Sequence, residues 1–313
     1  MRFSIIIFLI LSLITCGVNL ADPTNDPSSE ISNPEQPEQP SWQPFTGKIY
    51  FSHPYGQSSD IYSVNGQTGV VKQEFSSVSD SYMPKVNDYE VILFSSRNST
   101  APFFSIQSFD LRGLNNTIIL NQNKNMLYPN ATESGHRIAY VISSSENGGR
   151  DSLMYYDVAG DSSSVLYAGL SSDQFIKGPV WNNAASKVYF QLQVGAIDNN
   201  NSTIVEVDVV SKVSNPLTTG SFPQLNSTNQ KILYAKNGAI YEYTISNGSF
   251  SVIANTGLNS KANNPVYLEF GAQIAFTALH NNYYKIHIVN YNGTNLHRLE
   301  LGNMDAVYLD WQN

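Results

Sequence analysis

Lys187-Val188-Tyr189-Phe190 is one of six copies of a β-branched, aromatic tetrad. The others are Lys48-Ile49-Tyr50-Phe51, Val91-Ile92-Leu93-Phe94, Arg137-Ile138-Ala139-Tyr140, Lys231-Ile232-Leu233-Tyr234 and Gln273-Ile274-Ala275-Phe276. Between the second residues of successive copies the steps are 43, 46, 50, 44 and 42. A structural period of about 45 residues, with one longer loop, accounts for them.

Reading outward from the tetrad, a second strand follows each copy after a polar loop, as in Ile204-Val205-Glu206-Val207-Asp208 and Ile286-His287-Ile288-Val289-Asn290. Several alternate apolar with polar residues, the mark of a strand with two unlike faces. Turn pairs come next: Asn65-Gly66, Ala159-Gly160, Asn247-Gly248 and Asn292-Gly293, read as hairpin turns with positive φ. A third strand runs outward, for example Ser249-Phe250-Ser251-Val252-Ile253. A fourth precedes the next tetrad, and Pro84, Pro129, Pro179, Pro223 and Pro265 are read as its start, where no ladder donor is lost. The sixth copy, before Trp311, lacks the proline.

Four strands repeated six times predict an all-β fold, a six-bladed β-propeller of four-stranded antiparallel blades. Val307 to Trp311 should complete the first blade beside Ile49, because an open ring would expose two pairing edges. Trp42-Gln43-Pro44 imitates the same motif and offers a second way to close it.

Ile286 through Leu299 resembles the strand-turn-strand of TolB-type propeller repeats, and Gly178-Pro179-Val180-Trp181-Asn182 leading to Lys187 resembles the other half. The resemblance spans Gly47 to Asn313. It implies a periplasmic or surface propeller that binds protein partners. WD40 repeats fit poorly, since no Gly-His and Trp-Asp pairs recur, and Gly148-Gly149 is a lone double glycine against kelch repeats.

The first residues are a different material. Arg2 supplies a positive start, and Ser4 to Ile14 form an apolar core too short to span a bilayer but suited to export. Residues 1–17 are therefore read as an export signal, 18–46 as a Pro/acid-rich tether and 47–313 as the propeller. Leu13-Ile14-Thr15-Cys16 resembles a bacterial lipoprotein signal, which would make Cys16 the lipidated residue. Thr15 departs from that pattern, and an ordinary signal cut after Gly17 or Ala21 is the other reading. Asp22-Pro23 through Glu38-Gln39-Pro40 has almost nothing apolar and reads as an extended spacer. Cys16 is the single cysteine, so a large core rather than disulfides must hold the fold.

Net charge is −8, with no basic stripe to neutralise a polyanion, so nucleic acid is not an expected partner. The expected partner is a protein or surface ligand. The chain is expected to be monomeric, membrane-attached only through lipid at Cys16, and either periplasmic, at the outer membrane or secreted.

Chemistry is sparse. No Gly-x-Ser-x-Gly elbow occurs and no hydrolase domain follows the repeats. Of His53, His136, His280, His287 and His297, only His287 and His297 could meet across a hairpin; no His-Glu-x-x-His exists, and neither metal nor cofactor is expected. Asp198-Asn199-Asn200-Asn201 lacks the distal Glu of a calcium loop. Glu206, Asp208 and Glu242 are read as solvent-facing. Asn-x-Ser/Thr occurs at Asn98, Asn115, Asn130, Asn200, Asn201, Asn226, Asn247 and Asn292, which would be glycan acceptors in a eukaryotic secretory chain. A ligand is expected at the funnel face, built by the loops after the tetrads and those entering the proline strands. The first set offers His53, Tyr55, Arg97, Glu146, Arg150, Asp198, Lys236, His280 and Tyr283 as binding candidates. The second offers Tyr82, Tyr128, Asp173, Lys177 and Asp305. The competing reading is a propeller hydrolase or lactonase with a metal in the central channel.

Overall fold

The computed structural model describes residues 44–55, 58–76, 80–98, 100–144, 150–195, 202–255 and 262–313. The expected signal, Cys16, Trp42, Glu146 and Asp198 lie outside them.

Six four-stranded antiparallel sheets form the blades. Blade 1 contains β1 (Lys48–Tyr55), β2 (Ser58–Asn65) and β3 (Val71–Phe75). Blade 2 is β4 (Asp80–Val86), β5 (Val91–Arg97), β6 (Ser105–Asp110) and β7 (Asn115–Leu120). Blade 3 is β8 (Asn125–Ala131), β9 (Arg137–Ser143), β10 (Ser152–Asp157) and β11 (Ser162–Ala168). Blade 4 is β12 (Gln174–Trp181), β13 (Lys187–Val194), β14 (Ser202–Asp208) and β15 (Ser214–Thr219). Blade 5 is β16 (Ser221–Leu225), β17 (Lys231–Lys236), β18 (Ala239–Thr244) and β19 (Phe250–Asn255). Blade 6 is β20 (Asn263–Leu268), β21 (Gln273–His280), β22 (Tyr283–Asn290) and β23 (His297–Arg298). The last strand, β24 (Val307–Gln312), joins blade 1 as its inner strand.

Closure is by the C-terminal strand, as the repeat count requires. Ile49 opposes Trp311 and Tyr50 opposes Asp310. The Tyr50 hydroxyl donates to Gln312 Oε1 at 3.1 Å, and Gln312 Nε2 donates to the Asn87 carbonyl of blade 2 at 3.0 Å. Trp311 is only partly buried, with Nε1 donating to the Thr46 carbonyl, so the apolar weight of this strand rests on Leu309 instead.

Both faces of each tetrad strand are covered by neighbouring blades, which is why these strands are continuous apolar runs rather than alternating ones. The core is accordingly divided into six layers, one between each pair of blades. Tyr50 and Ile61 meet Ile92, Phe94 and Phe109 between blades 1 and 2, and Phe51 and Ile49 meet Val266 and Ile288 between blades 1 and 6. The outermost strands lie at the rim and expose side chains, such as Ile118 and Phe250.

Two local readings are corrected. The prolines stand inside the inner strands, not at their start, each next to a break in register with the tetrad strand. The residue before each proline has left-handed backbone: Met83, Tyr128, Gly178, Phe222 and Asn264, with φ between 49 and 61°. Tyr308 repeats this bulge at φ 56° before Leu309, without proline. At such a bulge the extra residue is unpaired, so proline's missing N–H is tolerated mid-strand. The turn pairs also differ. Gly248 and Gly293 take positive φ as expected, whereas Gly66 and Gly160 do not; a Cβ at Gly66 would come within 2.3 Å of the Phe45 carbonyl oxygen.

Candidate functional site

The described candidates from the tetrad loops lie at the end of a tetrad strand, at the start of the strand after it or, for Arg150, in the loop between, and so on one face of the ring. They are spread round its rim rather than gathered in one constellation. His53, near the end of β1, accepts the Asp305 N–H at Nδ1 (3.1 Å) and meets the edge of Tyr62. Tyr55 ends β1 opposite Ser58. Arg97 donates to Asp80 Oδ2 at 2.6 Å and lies 4.6 Å over the Phe104 ring, against which Tyr82 also packs. His280 opposes Tyr283 across the β21–β22 turn, and the Tyr283 ring covers the Lys285 ammonium at 4.7 Å. Lys285 is buried and donates to the carbonyls of Gly302 and Met304, and burial lowers its pKa. Arg150 is exposed, and Lys236 is half-buried at the end of β17.

In the second set, Asp305 accepts the Tyr284 N–H and Asp173 is exposed beside Ser171. Lys177 is held by Gln193 Oε1 at 3.1 Å, its pKa lowered by burial although Asp151 pulls the other way. Tyr128 is not a loop residue. It belongs to the bulge ring, which surrounds a waist of about 50 Å³ in the channel. Tyr128 and Tyr308 meet there edge to face at 5.9 Å, and burial raises both phenols.

Below the waist, Lys85 Nζ donates to Asp310 Oδ1 at 2.9 Å and reaches Gln224 Oε1 of blade 5, the blade opposite its own, at 3.4 Å. Asp310 Oδ2 accepts the Val86 N–H at 2.7 Å. An ammonium thus lies across the channel where the metal-hydrolase reading requires a cation. Among the described residues no group of three His, Cys, Asp or Glu is placed to hold a metal.

Beyond this bolt the channel opens on the opposite face into a cavity of about 410 Å³, bordered by Asn87, Glu133, Asn182, Trp181 and Trp311. Sequence reading missed this cavity, because its lining is gathered from strands and turns of several blades, and Val180-Trp181-Asn182 reads there only as a repeat signal. Two of its asparagines are engaged in their own turns, and Asn183 Nδ2 donates to the Ser227 carbonyl of blade 5 at 3.1 Å. Asn87 Oδ1 accepts the N–H groups of Tyr89 and Val91, and Asn182 Oδ1 those of Ser186 and Lys187. The Asn-x-Ser/Thr triplets at Asn98, Asn247 and Asn292 behave alike, each Oδ1 accepting from the Ser or Thr two residues on. Turn chemistry accounts for those triplets.

Three further expectations change. Glu242 is buried, accepting from Lys231 (2.7 Å), Tyr291 (2.5 Å) and Tyr267 (2.9 Å), and this ties blade 5 to blade 6. Glu206 is paired with Lys187 at 2.8 Å. His297 opposes Ile288 while His287 opposes Arg298, so the two imidazoles fall on opposite faces of their sheet. His287 is buried against Phe276, centroids 5.5 Å apart.

The sequence matches no protein-family model and no curated protein. By structure the chain is similar to TolB from Acinetobacter baumannii, with a TM-score of 0.69 at 15% identity over 86% of this chain and 67% of that one. A putative TolB from Agrobacterium tumefaciens gives 0.58 at 13%, over 82% and 89%. A chain of a nidogen/laminin complex gives 0.60 at 13%, over 78% and 89%. At these identities the likeness is one of fold.

Proposed function

We propose that this chain is an exported, non-enzymatic propeller, tethered by lipid at Cys16, that binds a protein partner as a monomer through its funnel face. The TolB-like fold supports this reading, and a similar propeller occurs in the nidogen/laminin protein complex. The observation that carries it is the contrast between the two faces. At one, the channel is bolted by Lys85, and Lys187, Lys231, Arg112 and Arg137 have carboxylate partners, Lys212 having none among the described residues; at the other, Arg97 pairs with Asp80, but Lys177, Lys236 and Arg150 have no carboxylate partner among the described residues. The cross-channel ammonium weighs against a metal-dependent hydrolase.

The test is purification from a gentle extract. A protein partner should co-purify with the parent, and the protein should carry no stoichiometric metal. Bound calcium or zinc together with hydrolytic turnover would favour the enzyme instead. Cys16→Ala should shift the protein from the membrane to the soluble exported fraction; an unchanged distribution would end the lipid-anchor part of the proposal.

A further inference from the structure

We propose that the crevice between blades 4 and 5 on the funnel face, flanked by Lys177 and Lys236, receives an acidic side chain of the partner protein; this rests on the binding role just proposed. Lys177 shares a strand face with Gln191 and Gln193, and Gln191 accepts the Phe222 N–H of blade 5, so this face looks across the crevice. Lys236 shares a face of β17 with Ile232 and Tyr234, which pack on Tyr189 and Ile204 of blade 4. The two lysines therefore line the same crevice from its two sides. Between them lie buried amides and hydroxyls, Gln191, Gln193 and Ser202, and no carboxylate pairs with either lysine among the described residues.

The described carboxylates of this face are otherwise engaged. Asp80 pairs with Arg97, Asp151 is buried and accepts the N–H groups of Ser144 and Ile176, and Asp305 accepts Tyr284 N–H. Asp173 alone is exposed. Asp151 acts on Lys177 from within the fold but is buried and already bonded, so the accessible charge at the crevice favours an anion. A chain of net charge −8 repels an extended polyanion from afar, whereas a short acidic segment inside the screening length of about 8 Å meets mainly the lysine pair.

The test titrates a short fluorescent oligoglutamate into the full chain at rising salt. Salt-sensitive binding is expected, weakened about tenfold or more by Lys177→Gln with Lys236→Gln, and unaffected by Arg112→Gln on the other face. Lys236→Gln alone, at a half-exposed side chain, should weaken it by about threefold and serves if the double variant folds poorly. No binding, equal affinity for parent and variants, or lysine-dependent capture of phosphatidylglycerol vesicles in preference to the peptide would each overturn the proposal. A native partner that binds the double variant at full strength would overturn the lysine pair yet leave the binding role standing. An extract that yields no partner would count against the binding role itself.

Discussion

Single residues show how a propeller with few charges uses them. Charged side chains make up only 13% of the chain, yet Glu242, Glu74 and Asp310 are buried, each with a lysine against it. Removing one partner of such a pair leaves the other unpaired and costs about 3–5 kcal/mol when both are deeply buried. Lys85 is partly exposed, so Asp310→Ala should destabilise by roughly 2–4 kcal/mol in urea unfolding, including the lost Val86 N–H bond. A change of a few tenths would mean that the bolt contributes nothing. His287 supplies a pH signature. Burial lowers its pKa below the ordinary 6.5, so the folded chain resists the proton that the unfolded chain accepts. Stability from this group is present above about pH 6.5 and is lost as pH falls below it. His287→Phe, which keeps a ring against Phe276, should flatten that part of the stability–pH curve. Superimposable slopes for parent and variant would contradict the assignment.

At the scale of the element, the tetrads were legible because a strand covered on both faces is a continuous apolar run, and six such runs at one period leave little choice of fold. The bulge was not legible. Proline marked the right strand, but its missing N–H fits a strand start and a bulge equally, and the left-handed residue before it varies from Gly178 to Phe222. Asn264 tests the bulge directly. Asn264→Gly should leave melting nearly unchanged, whereas Asn264→Val, a β-branched residue held at φ 49°, should cost about 1–2 kcal/mol. Equal melting temperatures would show that the bulge relaxes.

For the molecule as a whole, the ring is closed by pairing residues more than two hundred and fifty positions apart in sequence. A chain ending at Asp305 loses β24, and with it Leu309 and the Asp310 bolt, so it should aggregate or melt far below the parent. Deleting residues 18–40, which offer almost nothing apolar to bury, should change melting little. The closure was legible from where the repeats start and stop. The candidate site was legible only as a face, since hairpin order fixes which loops share an end. Which side chains keep their charge free there depends on partners such as Asp80 for Arg97, and these pairings between strands have no linear signature.

Which face meets the partner is the central claim, and amine cross-linking of the native complex followed by mass spectrometry measures it most directly. Lys124, Lys177 and Lys236 belong to the funnel side; Lys72 and Lys212 belong to the other end or rim. Cross-links to the partner should concentrate on the first three and spare the last two. Cross-links concentrated on Lys72 and Lys212 would contradict the account.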